Sequence, residues 1–149
     1  MTACSPTSSA ALPTVALPAV APVAAPPHVQ GTPRVLLRLE GLAVLVLAVI
    51  GYAKLGGHVG LFALCFLLPD LSMLGYLAGR RVGAASYNTA HSYLTPAVLA
   101  LFGVLFTMPG LLLAAAIWAA HIGFDRALGY GLKYGTAFGH THLGNLSAK

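Results

Sequence analysis

Two carboxylates and two imidazoles, Asp70, Asp125, His91 and His121, are the side chains of this sequence best suited to chemistry. His121 and Asp125 stand four residues apart in Ile117 to Tyr134, IWAAHIGFDRALGYGLKY, a stretch that starts as apolar as any membrane helix. Residues four apart share a helix face, whereas Arg126 is turned by about 100° from Asp125. Ionisable groups inside a membrane segment are costly and turn toward protein or water rather than lipid. Two carboxylates with two imidazoles form a donor set that suits zinc, manganese or iron, and a vacant position would leave a water to be activated. The same groups could instead relay protons or hold a small solute. They could also serve packing alone, with Asp70 or Asp125 neutralising Arg126 and with His91 and Asn88 as interhelical hydrogen-bond donors and acceptors. A haem held by His91 and His121 is a further variant.

The elements that carry these residues are membrane helices. Of 149 residues 58% are hydrophobic and only 7% charged, eight basic and three acidic. No soluble domain of this size has enough interior for so much apolar surface, so the bilayer must be its solvent. The net charge of +5 comes from basic residues scattered singly or in pairs between apolar spans, which excludes a nucleic-acid surface. Cys4 and Cys65 form neither a disulfide framework nor a metal-type pair.

Residues 1–33 hold seven prolines, eight alanines and no charge, which predicts a disordered tail ahead of a four-span domain over residues 34–149. The first span runs from Val35 to Tyr52, with Arg34, Arg38 and Glu40 near its start. Lys54 to His58 make a turn, and the second span covers Val59 to Leu77 with Pro69 and Asp70 inside it. Pro69 should kink that helix by freeing the Cys65 carbonyl. Arg80 and Arg81 end it, and a polar connection, GAASYNTAHSY, follows. Tyr93 to Phe124 is too long for one crossing and breaks at Met108-Pro109-Gly110, giving spans at Leu94 to Met108 and Leu111 to about Leu128. The last reaches full length only by including His121, Asp125 and Arg126.

This reads as an all-α, polytopic four-helix membrane bundle with short loops. Arg34, Arg38, Arg80, Arg81, Arg126, Lys133 and Lys149 fall on one side and Lys54 on the other. The positive-inside rule then places both termini in the cytoplasm, in a multi-pass protein of the inner cell membrane. Depth follows from topology. Asp70 and Asp125 both fall near the cytoplasmic third, where His91 enters the third span and Glu40 the first. Tyr87, Asn88 and His91 share a face if their connection is helical. Asp70, His91, His121 and Asp125, joined by Glu40 and Asn88, are therefore expected to cluster.

Two lesser features carry less. GYG at Gly129 to Gly131 matches a potassium-filter triplet but lacks the preceding Thr-Val and a pore loop, so it reads as glycines that end a helix. His140 and His142 in GHTHLG could extend a metal site, although tying the last segment back to the bundle is the simpler role.

The strings LPDLSMLGYLAG, YNTAHSY, HIGFDRALGYGLKY and THLG resemble the bacterial domain-of-unknown-function family 4260, small membrane proteins of about four spans. The resemblance covers roughly Arg38 to Gly144. It implies that Asp70, Tyr87, Asn88, His91, His121, Asp125, Arg126, Tyr130, Lys133, Tyr134 and His142 matter, and it brings no activity. The long Ala/Pro tail departs from the pattern. A fainter similarity is to membrane-bound metal-dependent hydrolases, which carry a Pro-Asp, a His-Ser and a late His followed by Asp. Pro69-Asp70, His91-Ser92 and His121 with Asp125 stand in those places, while a histidine usual before the His-Ser pair is missing. The expected partner is the lipid bilayer; a pore through helices this few would need a homo-oligomer. The functional expectations are a metal-dependent membrane hydrolase, a small transporter or proton relay, and a structural membrane protein.

Overall fold

A computed structural model describes residues 28–145. The expected tail over residues 1–33 lies mostly outside them, as does Lys149. Three helical stretches are long and apolar enough to cross a bilayer: Gly31–Lys54, Val59–Ala78 and Pro109–Leu128, with mean hydropathies of 2.1, 1.8 and 1.4. The last is the centre of the fold. A third of its apolar window (33%) is buried by protein, against 11% and 6% for the other two, whose leucines and valines are left for lipid.

Helix α1 (Gly31–Lys54) begins three residues ahead of Arg34 and packs along α5 (Pro109–Leu128). The contact depends on two glycines. A Cβ on Gly123 would stand 2.7 Å from both the Gly41 carbonyl oxygen and the Leu45 nitrogen, so only hydrogen lets the two backbones approach this closely. Arg38 of α1 donates from Nε to the Ala127 carbonyl (2.8 Å), satisfying one of the carbonyls that the end of α5 leaves free. Gly129 then stops α5 in a left-handed conformation at φ 96°. This is the helix-ending role expected for the GYG glycines.

The second crossing is broken rather than kinked. Helix α2 covers Val59–Cys65, and after Phe66 and Leu67 a 3-10 helix runs over Leu68–Ala78. Pro69 occupies its first turn, where the missing N–H costs nothing. Arg80 and Arg81 start an element instead of merely ending one. They open α3 (Arg80–Ala90), an amphipathic helix in the stretch expected to be a polar connection, which packs on the 3-10 segment. Ser86 fastens the pair by donating to the Ser72 carbonyl at 2.8 Å.

The third crossing is shorter than Leu94 to Met108. Helix α4 covers Leu94–Leu105, only 12 residues, or about 18 Å at ~1.5 Å per residue, well short of a ~30 Å core. Phe106, Thr107 and Met108 leave the helix, with Thr107 at φ 51°. The described residues are thus an all-α membrane fold with three long apolar stretches and a fourth short one. After α5 the chain forms a hairpin, His140–Thr141 against Gly144–Asn145, and Thr141 also bridges to Lys133.

Candidate functional site

His121 and Asp125 lie one turn apart on α5, close to where Gly123 meets α1. His121 is 1% exposed, at the middle of the bundle. His91 follows the last residue of α3, and three bonds fix it there. Its backbone N–H donates to the Tyr87 carbonyl (2.8 Å), Trp118 Nε1 of α5 donates to the Ala90 carbonyl (2.6 Å), and Arg126 Nη2 donates to the carbonyl of His91 itself (3.3 Å). Asp70 comes from the first turn of the 3-10 helix. Three segments of the chain therefore deliver four ligand-type side chains to one place.

The geometry is tight. One ligand atom from each of Asp70, His91, His121 and Asp125 lies within 4.8 Å of all the others. The two imidazole Nε2 atoms stand 3.2 Å apart. His91 Nε2 is 3.3 Å from Asp70 Oδ1 and 3.5 Å from Asp125 Oδ2, while His121 Nε2 is 3.5 Å and 4.0 Å from the same two oxygens. Four donors at ~2.1 Å from a tetrahedral ion would be about 3.4 Å from one another, so these separations are of the right size for a common ion. His91 Nδ1 lies 3.0 Å from the Tyr87 carbonyl oxygen, which only accepts, so Nδ1 carries the proton and Nε2 presents its lone pair to the cluster. Burial pushes His91 below the ordinary imidazole range, against the opposing pull of the Tyr87 carbonyl and Asp125, and favours that neutral form. Tyr87 stacks on His91 with ring centroids 3.7 Å apart and donates its hydroxyl to Asp125 Oδ2 at 3.1 Å. Burial first, then the negative charge of Asp125, raise the Tyr87 phenol so that it remains a donor.

His121 Nδ1 is buried without a hydrogen-bond partner among the described residues. A neutral ring has one N–H, and an N–H hidden at Nδ1 would be unsatisfied. The proton therefore sits on Nε2, shared with His91 and the carboxylates.

The other expected residues divide by place. Asn88 clamps the segment after α5, donating from Nδ2 to the Lys133 carbonyl (2.8 Å) and accepting the Lys133 N–H on Oδ1 (2.7 Å). Lys133 is 6% exposed, its ammonium 3.3 Å from the ring centre of Phe138 and 4.6 Å from that of Tyr87. Burial lowers its pKa, opposed by Asp125 and Asp70. Tyr130 and Tyr134 are both exposed. Arg126 turns to His91 and His142 rather than to a carboxylate. His142 accepts from the Leu132 N–H at 2.8 Å and lies 3.3 Å from the Arg126 guanidinium, and Thr141 bridges to Lys133, so the last segment is docked to the bundle. Glu40 is exposed on α1 and joins no contact with the four ligand-type residues.

A cavity of about 280 Å³ opens beside the cluster, with Asp70, Asp125, Tyr87, Tyr130, Lys133 and Thr141 on its wall. An apolar cavity of about 270 Å³, lined by Pro69 among others, lies between the second crossing and α5. The aromatic seat of Lys133 was not read from the sequence. Phe138 carries no spacing signal, and Tyr76 sits in an apolar run where any aromatic passes as lipid-facing.

The family whose model matches, over residues 34–146, is described as a domain of unknown function, DUF4260. The chain belongs to this family. The match takes in all five helices except the first three residues of α1, together with all four clustered residues. No curated protein and no solved structure matches the chain. The DUF4260 domain is therefore a membrane-type helical fold with an Asp/His cluster, and chemistry must be argued from that cluster.

Proposed function

We propose that Asp70, His91, His121 and Asp125 bind one divalent metal ion, zinc, manganese or iron, and that the protein is a membrane hydrolase-like enzyme. The observation that carries this reading is the convergence of four donor atoms within 4.8 Å, two of them imidazole nitrogens facing each other. Mixed nitrogen and oxygen donors suit these borderline ions. When bound, such an ion supplies a Lewis acid and lowers the pKa of a coordinated water toward ~7. The protein's own groups do the rest. Tyr87 orients Asp125 through its hydroxyl, the Tyr87 carbonyl fixes the His91 tautomer, and Lys133 sets a positive charge in the adjoining cavity. The charge bias of the loops supports a multi-pass inner-membrane protein whose cluster lies toward the cytoplasmic leaflet.

Metal analysis of the detergent-purified protein tests the reading. Wild type should carry close to one ion per chain, and His121→Ala and Asp125→Ala should lose it. A folded wild type that stays metal-free after incubation with each of the three ions would end the proposal.

One observation favours a structural alternative. Lys133 lies within electrostatic reach of both carboxylates and Arg126 within reach of Asp125, so two positive charges stand near the two negative ones without any ion. In that case the same substitutions would lower thermal stability with no ion to lose.

A further inference from the structure

The charge balance, taken together with the two cavities, defines a ligand. With Asp70 and Asp125 offset by Lys133 and Arg126, a divalent ion adds two positive charges that no protein group compensates. A dianion would compensate them. The cavity beside the cluster has room for a small polar group and is lined by Lys133 as well as by the two carboxylates. A phosphate monoester carries nearly two negative charges at neutral pH, and its oxygens can be shared between a metal and an ammonium.

The apolar cavity says what the phosphate is attached to. Pro69 lines this cavity and Asp70 lines the polar one, so consecutive residues border the two. On α5 the apolar cavity runs from Gly110 to Trp118, about 12 Å along the helix, and ends one turn before His121. Its lining is almost wholly hydrocarbon, and it extends from the clustered groups toward the opposite end of α5. A membrane lipid lies in that way, with the polar group at one end and the chain running inward along the helices.

Resting on the metal reading above, we propose that the ligand of the DUF4260 site is a lipid phosphomonoester. Its phosphate sits between the ion and Lys133, and its hydrocarbon chain occupies the groove between Pro69 and Trp118. Hydrolysis joins the oxygen of water to phosphorus and breaks the bond from phosphorus to the lipid oxygen. The lipid alcohol leaves with the proton and inorganic phosphate remains.

The test uses full-length protein loaded with manganese, whose paramagnetism broadens the 31P signal of any phosphate near it. Octyl phosphate and ethyl phosphate are titrated separately, with metal content measured on the same samples. Octyl phosphate should show saturable broadening and bind about tenfold or more tightly than ethyl phosphate, a difference reflecting the buried chain. Lys133→Gln should weaken both ligands by about tenfold while the metal content stays at one per chain, and Lys133→Arg should restore most of the loss. Ala114→Phe, which fills the groove, should collapse the octyl preference. Equal affinity for the two phosphates would point to a soluble phosphomonoester and overturn the lipid assignment, with the metal reading intact. Unchanged binding in both Lys133→Gln and Ala114→Phe would overturn it too. A protein that takes up no manganese would take both readings down, and the metal analysis reports that outcome directly.

Discussion

His91 Nε2 and His121 Nε2 face each other at 3.2 Å, although thirty residues and a membrane helix separate them in the chain. Two imidazoles can hold this distance without an ion only if one nitrogen carries a hydrogen and the other accepts it. The Tyr87 carbonyl takes the proton of His91 on Nδ1, so the shared hydrogen belongs to His121. An ion entering the cluster must displace that hydrogen.

In a neutral ring that hydrogen moves to Nδ1, so metal uptake should release few protons at neutral pH and more as the pH falls and the ligands are protonated beforehand. The affinity for zinc should fall as the pH is lowered, because hydrogen ions and the metal compete for the same lone pairs. Calorimetric titrations in two buffers of different ionisation enthalpy measure the proton count. A proton count that does not rise on acidification would show that the ion does not take these lone pairs.

The Tyr87 hydroxyl touches the cluster only through Asp125. Partners of this kind orient a ligand, and losing one typically lowers metal affinity by about 10- to 100-fold. Tyr87→Phe should show such a loss with stoichiometry preserved, since the ring can still stack on His91. Unchanged affinity would mean that Asp125 is held in place by the fold alone.

How much of this was legible follows from which physical quantity each inference used. Span positions and the depth of Asp70, His91, His121 and Asp125 come from hydropathy and rise per residue, which the sequence carries directly. Helix face does not. Glu40 shares the expected depth, yet it is rotated about 100° from Gly41, the residue that meets α5, and it ends up exposed. Helix α3 has too little hydrophobicity to register as a span, and only the spacing of Tyr87, Asn88 and His91 hinted at it. The shortness of α4 depends on Thr107 adopting a positive φ, which no propensity would predict. The seat of Lys133 on Tyr87 and Phe138 depends on the hairpin folding back, a long-range event without a local signature.

The Gly41 and Gly123 contact makes another prediction. Gly123→Ala would force apart α1 and the part of α5 that carries His121 and Asp125, because the nearest atoms are backbone and cannot rotate away. Overpacking of this sort costs about 1–3 kcal/mol. A clear drop in the thermal midpoint is expected, with weaker metal binding following from the displaced helix. Gly51→Ala, where a Cβ meets nothing within 4 Å, is the control and should leave metal binding unchanged without lowering the midpoint. Equal behaviour of the two variants would mean that the close approach is not what positions the site.

The pH dependence of stability should run in one direction through the imidazole range. Burial, and after it the Arg126 guanidinium 3.3 Å away, hold His142 below the ordinary imidazole value. Its Nδ1 also accepts the Leu132 N–H, a bond that a protonated ring cannot accept. In the unfolded chain the ring takes up its proton near pH ~6.5, whereas the native protein resists doing so until a lower pH. Between those two values the unfolded state binds more protons, so stability rises with pH. The contribution is complete above about 6.5 and is lost as pH falls toward the folded value. Buried His91 is shifted the same way and adds to the slope. The thermal midpoint of the detergent-solubilised protein should therefore drop between about pH 7.5 and about pH 5, and His142→Gln should flatten the dependence without removing it. A midpoint that climbs on acidification, or a His142→Gln profile parallel to wild type, would show that the docked hairpin tolerates a charged His142 beside Arg126.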